Sequence, residues 1–318
     1  MHTIAQPWMW VAFLLFVLAM LVLDIVAIGG NKAAKMSLKQ AAFWSLAWVS
    51  MALLFAFGLW LYLCQVADAV IAQTTAMEFL AGYVIEKALS IDNIFVFLMI
   101  FGHFSVPAEY QRKVLLYGVL GAIFMRITMI LAGVWMVQEF SWVLYVFGVF
   151  LIFTGIKMIW SADNKQDINA NPVVRYAKKL LPFTDGYRGE QFSVLENGKR
   201  IFTPLLLVLI LIEVSDVVFA VDSIPAIFAI TTDPFVVFTS NIFAIMGLRA
   251  LYFLLADIAE RFHFLKYGLA LVLMFVGLKM LIVDWVHIPT LVSLLVIALI
   301  VSGSVLISLM VTRHTEKK

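Results

Sequence analysis

One cysteine, Cys64, in 318 residues leaves no internal disulfide to form and no cysteine-based metal site to build. Charge is scarce as well: Asp, Glu, Lys and Arg supply 13% of the chain, against roughly 25% in a soluble domain. The five histidines (His2, His103, His263, His287 and His314) fall at the ends of apolar runs or between them, so no imidazole cluster lies inside one. No Gly-rich phosphate loop and no nucleophile–histidine pairing is present, and no stretch suits a folded soluble domain. An enzyme is therefore not expected, nor a resident cofactor, nor a nucleic-acid partner. What is abundant is apolar surface, 64% hydrophobic residues with a mean hydropathy of +1.03. The expected fold class is all-α, a polytopic transmembrane helical bundle with the lipid bilayer as its surroundings.

A bilayer core about 30 Å thick takes roughly 20 apolar residues in a helix. Nine such runs can be read, at 8–29, 42–64, 79–101, 114–136, 140–160, 203–229, 236–256, 266–283 and 288–311. The first is not expected to be a cleaved signal, since no Lys or Arg precedes it and no small-residue cleavage site follows. Lys and Arg alternate with the runs. Segments 30–41, 102–113, 161–202, 257–266 and 312–318 hold 3, 2, 7, 2 and 3 of them, and the intervening segments hold none. The positive-inside rule then puts the N-terminus outside and the C-terminus in the cytoplasm. Residues 1–318 read as one transmembrane transporter domain, with cytoplasmic segment 161–202 joining two halves. Within that segment Arg175–Leu181 suggests a short surface helix. Residues 191–202 suggest a hairpin turning at Asn197-Gly198, both of which favour positive φ.

Five cations remain inside the runs: Lys87, Arg126, Lys157, Arg249 and Lys279. The acids there are Asp24, Glu86, Asp92, Glu213, Asp216 and Asp222. A charge at the bilayer centre costs at least about 2.5–3.5 kcal/mol, so each must face protein or water. Asp24 lies near a span end, and Lys157 and Lys279 are close enough to ends to snorkel. Arg126 and Arg249 are deeper and require carboxylate partners. The densest signal is EKALSIDNIF at 86–95 with EVSDVVFAVDSIP at 213–225. A static lattice of ion pairs is the plain explanation, but buried pairs seldom recover their desolvation.

Runs three to five resemble runs six to eight. Asp92-Asn-Ile matches Asp222-Ser-Ile, with Glu86 and Asp216 six residues upstream of the respective aspartates. Arg126 parallels Arg249, and Phe153-Thr-Gly-Ile-Lys-Met parallels Phe275-Val-Gly-Leu-Lys-Met. With the topology above the repeat is inverted, an architecture that places transport sites near the midplane on paired, often broken helices.

At 100° per residue Asp216 and Asp222 lie about 240° apart round a helix and about 9 Å apart along it, as do Glu86 and Asp92. A straight helix cannot aim all these acids at one point. Local unwinding just beyond Asp222, where Pro225 removes an N–H, is therefore expected. Carboxylates with the neutral oxygens of Asn93 and Ser223 form a hard donor set suited to Mg²⁺, Ca²⁺ or Mn²⁺. Desolvated carboxylates also carry protons.

The strings GYVIEKALSIDNIFVF, ILIEVSDVVFAVDSIPAIFAITTDPFVVFTSNIFAIMGLRALYFLL and LKYGLALVLMFVGLKMLI resemble the TerC family, in particular its Alx-type bacterial members. The resemblance covers almost the whole chain. It implies a multi-pass bacterial inner-membrane protein, linked by family name to tellurite resistance and regarded in this branch as a manganese exporter. It places the family's acidic motif on Glu86, Asp92, Glu213, Asp216 and Asp222 as metal ligands for transported Mn²⁺, with Asn93, Ser223, Arg126 and Arg249 in support. Two other readings stay open: a proton- or sodium-coupled carrier without a metal substrate, and a membrane scaffold recruiting protein partners, themselves unidentified, through 161–202.

Overall fold

The computed structural model describes residues 3–29, 37–140, 142–160, 172–196, 198–256, 264–286 and 288–315, except the side chains of 24–29, 309 and 312–315. In chain order the helices are α1 (Pro7–Gly29), α2 (Leu38–Val66), α3 (Ala69–His103), α4 (Ala108–Glu139), α5 (Val143–Trp160), α6 (Pro172–Leu180) and α7 (Pro204–Phe228). They continue with α8 (Pro234–Met246), α9 (Leu248–Leu255), α10 (Leu265–Leu281) and α11 (Thr290–Thr315). A hairpin, β1 (Ser193–Glu196) and β2 (Lys199–Phe202), precedes α7.

The fold is an all-α polytopic membrane bundle. Among the described residues, α2, α4, α5, α7 and the Thr290–Ser308 part of α11 are long and apolar enough to cross a membrane; α8 and α9, bent by 41° to each other, make a sixth if taken as one rod. The three remaining predicted runs fall on helices that do not qualify. Helix α3 carries Glu78, Glu86, Lys87 and Asp92, α10 has 17 residues, and the apolar described stretch of α1 is Pro7–Leu23.

The helices begin where the chain supplies acceptors for the free N–H groups of a first turn. Ser37 and Gln40 form a reciprocal capping box on α2, and Asp68 caps α3. Asp233 caps α8 through Phe235 N and Val236 N while also taking Thr3 Oγ1 at 3.0 Å and Ile4 N at 2.7 Å. That one carboxylate ties the start of the chain to the start of α8.

Burial divides the helices. Outer ones turn large apolar side chains outward, as at Leu15 (62% exposed), Leu54 (68%) and Leu299 (72%), which suits lipid contact. Helix α8 is buried at every residue from Pro234 to Met246. A helix apolar almost all round belongs at the centre of a bundle. Around it α3 and α4 pack most closely, with α1 and α2 beyond them.

Helices α5 and α10 approach closely through glycines. A Cβ on Gly155 would meet Ala270 O at 2.8 Å and the Met274 side chain at 2.7 Å; one on Gly277 would meet Gly148 O at 2.6 Å and Ile152 at 2.9 Å. The contacts are reciprocal: advancing Gly148, Ile152 and Gly155 by the interval from Phe153 to Phe275 lands on Ala270, Met274 and Gly277.

The segment before α7 contains both predicted pieces. Helix α6 contains the start of the predicted surface helix, and β1–β2 pair with Glu196 opposite Lys199 around Gly198, whose φ is +74°. Asn197, like 161–171, lies outside the described residues, as does the side chain of Asp24. The segment docks on the α3–α4 corner: Tyr187 donates to Phe104 O at 2.7 Å and Lys113 to Glu190 O at 2.7 Å. Burial raises the Tyr187 phenol above its usual pKa, so it keeps the proton it donates.

The expected unwinding at Pro225 does not occur. Helix α7 runs through Pro225 to Phe228. The proline lies within the final turn, where its missing N–H frees one carbonyl only, and Ala229 N still reaches Pro225 O at 3.2 Å. The break is at Gly247 instead, between α8 and α9, where the Gly247 N–H turns to Ile245 O.

Replacing Gly277 by Leu drives a side chain into Gly148 O and Ile152, and overpacking of this kind costs about 1–3 kcal/mol. Gly303 on α11 has nothing within 4 Å. In detergent, Gly277→Leu is expected to melt below the parent protein and Gly303→Leu close to it, as measured by thermal unfolding.

Candidate functional site

Helices α3 and α7 cross at the acid-bearing stretches 86–93 and 216–223. Equivalent positions of the two repeats face each other there. Asn93 Nδ2 donates to Asp216 Oδ1 at 3.4 Å, and Ser223 Oγ and the Glu86 carboxylate meet on one nitrogen, Nη1 of Arg126. Advancing Asn93 and Glu86 by the interval from Asp92 to Asp222 gives Ser223 and Asp216.

The Arg126 guanidinium, 1% exposed, fills the α4 side of this crossing. It pairs directly with Glu86 through Nη1, and with Asp216 through Nη2 at 3.3 Å and Nε at 3.4 Å. Nη1 also donates to Ser223 Oγ at 3.1 Å and Asn241 Oδ1 at 3.3 Å. Asn241 on α8 in turn donates to Glu86 Oε2 at 3.2 Å. One fixed cation thus faces two fully buried carboxylates, leaving the cluster with formal net charge −1. A planar guanidinium suits this position because its fork of donors matches two carboxylates and two neutral oxygens at once.

The other acids lie elsewhere. Asp222 accepts from Thr154 Oγ1 of α5 at 3.1 Å and feels Lys157 of the same helix. Asp92 feels Asp222 and Lys266 of α10. Glu213 occupies the space that a Cβ on Gly121 of α4 would take, within electrostatic reach of Asp216. Arg249, 2% exposed, lines a cavity of about 10 Å³ with Asp216, Gly118 and Ala122, room for about one water.

The five acids therefore do not meet at one point. Glu86 and Asp216 turn to the α4 and α8 side of the crossing, Asp92 and Asp222 to the α5 and α10 side. Among the described residues no group of three or more His, Cys, Asp or Glu is placed to hold a metal ion. The reason is the continuity of α7: without a break after Asp222, positions 216 and 222 keep their separation of about 240°. Asn93, Ser223 and Arg126 do join one network, as the sequence suggested, and Arg249 borders it through the Asp216 cavity.

Asn241, Thr154 and Lys266 escaped the sequence reading, which followed charge within spans. Asn241 had a visible signal, an amide in an otherwise apolar run after Thr239 and Ser240, all three 0% exposed or buried in the bundle. Thr154 had none, since a threonine hydroxyl in a span ordinarily bonds its own helix. Glu78, placed just outside its span, also belongs to the interior: it hydrogen-bonds Thr231 and feels Lys279.

A bundle of apolar helices with carboxylates and arginines shared across one crossing is an integral membrane protein with an internal polar centre. The profile of the integral membrane protein TerC family matches residues 71–316, and the chain belongs to that family. It is 52% identical over 318 residues to an Escherichia coli (strain K12) protein described as a candidate membrane-bound redox modulator, Alx, covering 100% of this chain and 99% of that one. The Photorhabdus laumondii protein of the same description is 51% identical over 314 residues, covering 99% and 98%. An uncharacterized membrane protein of Myxococcus xanthus is 46% identical over 312 residues, covering 98% and 95%. No solved structure matches.

Removing one partner from a buried charge network strands the others and costs about 3–5 kcal/mol. Arg126→Met is therefore expected to lower the melting temperature sharply. Adding Glu86→Gln and Asp216→Asn to it should recover most of the loss, because the triple variant leaves no net charge in the cluster. Thermal unfolding of the three proteins (parent, Arg126→Met and the triple variant) in detergent checks the order.

Proposed function

We propose that the protein is a bacterial inner-membrane transporter that exports Mn²⁺ from the cytoplasm. It spans the membrane nine times, with the N-terminus outside. Helices α3–α5 form one repeat and α7–α10 its inverted counterpart. The facing of Asn93 with Asp216, and of Ser223 with Glu86 across Arg126 Nη1, carries this reading, because one twofold relation accounts for both. The equivalent exchange at Gly155 and Gly277 supports it from α5 and α10.

Asp92 and Asp222 receive the ion, with Thr154 Oγ1 as a neutral oxygen. Among the described residues neither is bound to a guanidinium, and both are partly accessible. Glu213 supplies a further carboxylate beside Gly121. Glu86 and Asp216, balanced by Arg126 while the metal is absent, take part as the helices shift between access states; Asn93 also holds Asp216 Oδ1, Asn241 holds Glu86 Oε2, and Ser223 Oγ shares Arg126 Nη1 with Glu86. Arg249 lies across the Asp216 cavity, where it can share that carboxylate's charge when Arg126 withdraws. Oxygen-only ligation suits a hard divalent ion. The choice of manganese and of export rests on the family resemblance.

A carrier of protons or sodium without metal is the second reading, favoured by the dispersal of the acids into pairs. Flux at a fixed pH gradient, with and without Mn²⁺, separates the two. Redox exchange through a dithiol within one chain is not open to this protein, whose single cysteine is Cys64.

Everted membrane vesicles carrying the protein are expected to accumulate Mn²⁺. Asp222→Ala removes a charged ligand worth about 1.5–3 kcal/mol, so uptake should fall about ten- to a hundredfold. Unchanged uptake in that variant contradicts the assigned site.

A further inference from the structure

Lys87 has no part in the carboxylate network just described, although it follows Glu86 directly in α3. Its ammonium crosses to the α8–α9 break instead. Nζ donates to Ala244 O at 3.1 Å and lies 2.8 Å from where a Cβ of Gly247 would stand.

In an unbroken helix Ala244 O would accept from the N–H of residue 248. The 41° bend at Gly247 ends α8 at Met246, and the Gly247 N–H bonds Ile245 O. The last carbonyls of a helix lack intrahelical donors and carry the negative end of its dipole. Here that end faces inward, since every residue of α8 is buried. The Glu86 carboxylate adds negative charge from α3, and it is the charged group whose field Lys87 feels. Freed carbonyls at the C-terminal end of a half-helix, next to a carboxylate, form the oxygen environment in which transporters of this architecture hold Na⁺. In this chain the position is already taken by a positive group on a covalent stem.

We infer that the α8–α9 break is a monovalent-cation site permanently filled by the Lys87 ammonium, which makes binding at this position independent of Na⁺. The glycine at 247 leaves room for the ammonium: a Cβ there would stand 2.8 Å from Nζ and 3.1 Å from Trp48 Cβ, so the ammonium would have to move aside. Taking away the ammonium while keeping the break leaves Ala244 O, in the field of Glu86, open to a small ion, and Na⁺ should then bind where the parent protein has no room for it. The inference uses the transporter reading only for what the ion would otherwise do; the occupancy itself is a property of the fold.

The test is thermal unfolding of purified full-length protein in NaCl and in choline chloride of equal concentration. The parent protein is expected to melt at the same temperature in both. Lys87→Ala is expected to melt lower in choline and to regain about 3 °C or more in Na⁺ at roughly tenfold its dissociation constant. Lys87→Gln, closer in volume, should respond in the same sense, and Lys87→Arg, which keeps a fixed charge, should not respond. Saturable ²²Na⁺ binding, absent from the parent and present at one ion per chain in Lys87→Ala, reads the same site directly. The inference is overturned if neither neutral variant responds to Na⁺, including the case in which both fail to fold in either salt, or if the parent itself binds Na⁺ saturably. Mn²⁺ flux by the parent protein is read separately. Its absence would overturn the proposed function and leave the Na⁺ result standing.

Discussion

Every part of the bundle answers to one constraint, that a charge held inside a low-dielectric layer must be met by protein. Arg126 shows the constraint at its most demanding. Two carboxylates from different helices, a hydroxyl and an amide all converge on one guanidinium that is 1% exposed. Four helices have to be in register for that to happen. The crossing of α3 with α7, the approach of α4 and the burial of α8 are consequences of satisfying it. Low dielectric makes such a network strong when complete and costly when any member is missing, so it fixes the geometry of the bundle centre more tightly than apolar packing alone would.

Charge placement made much of this readable in advance. Arg126 needed carboxylates and has Glu86 and Asp216. Asn93 and Ser223 lay in matching positions and face matching acids. Glycines in the Phe153 and Phe275 motifs turned out to be where two helices touch backbone to side chain. The hairpin at 191–202 was legible because turn chemistry is local. What the sequence could not show was direction. Whether α7 unwound after Asp222 depended on how much helix followed Pro225, and only one further turn does, ending at Phe228, so the proline costs one hydrogen bond without breaking the helix before it. The resulting straight helix separates acids that the sequence places close together. Nor could composition single out α8 as the central rod, because apolar runs of similar hydropathy look alike whether they face lipid or neighbours.

Two pairs of acids therefore stand on opposite sides of one crossing, in different electrostatic states. Glu86 and Asp216 are neutralised in large part by Arg126. Asp92 and Asp222 have lysines at longer range and a threonine hydroxyl. A device that must accept a cation on one occasion and release it on another gains from that difference. One pair is available while the other is occupied by a tethered charge, and a second arginine, Arg249, borders Asp216 across a small cavity. The same economy of tethered cations extends to Lys87 at the Gly247 break.

The most direct measurement is a metal-by-metal binding titration of the purified protein, run in parallel on Asp92→Asn. The account predicts saturable Mn²⁺ binding by the parent chain, weaker or absent for metals that prefer nitrogen or sulfur ligands, and largely lost in the variant. Equal Mn²⁺ binding by the two proteins, or none by either, would contradict it.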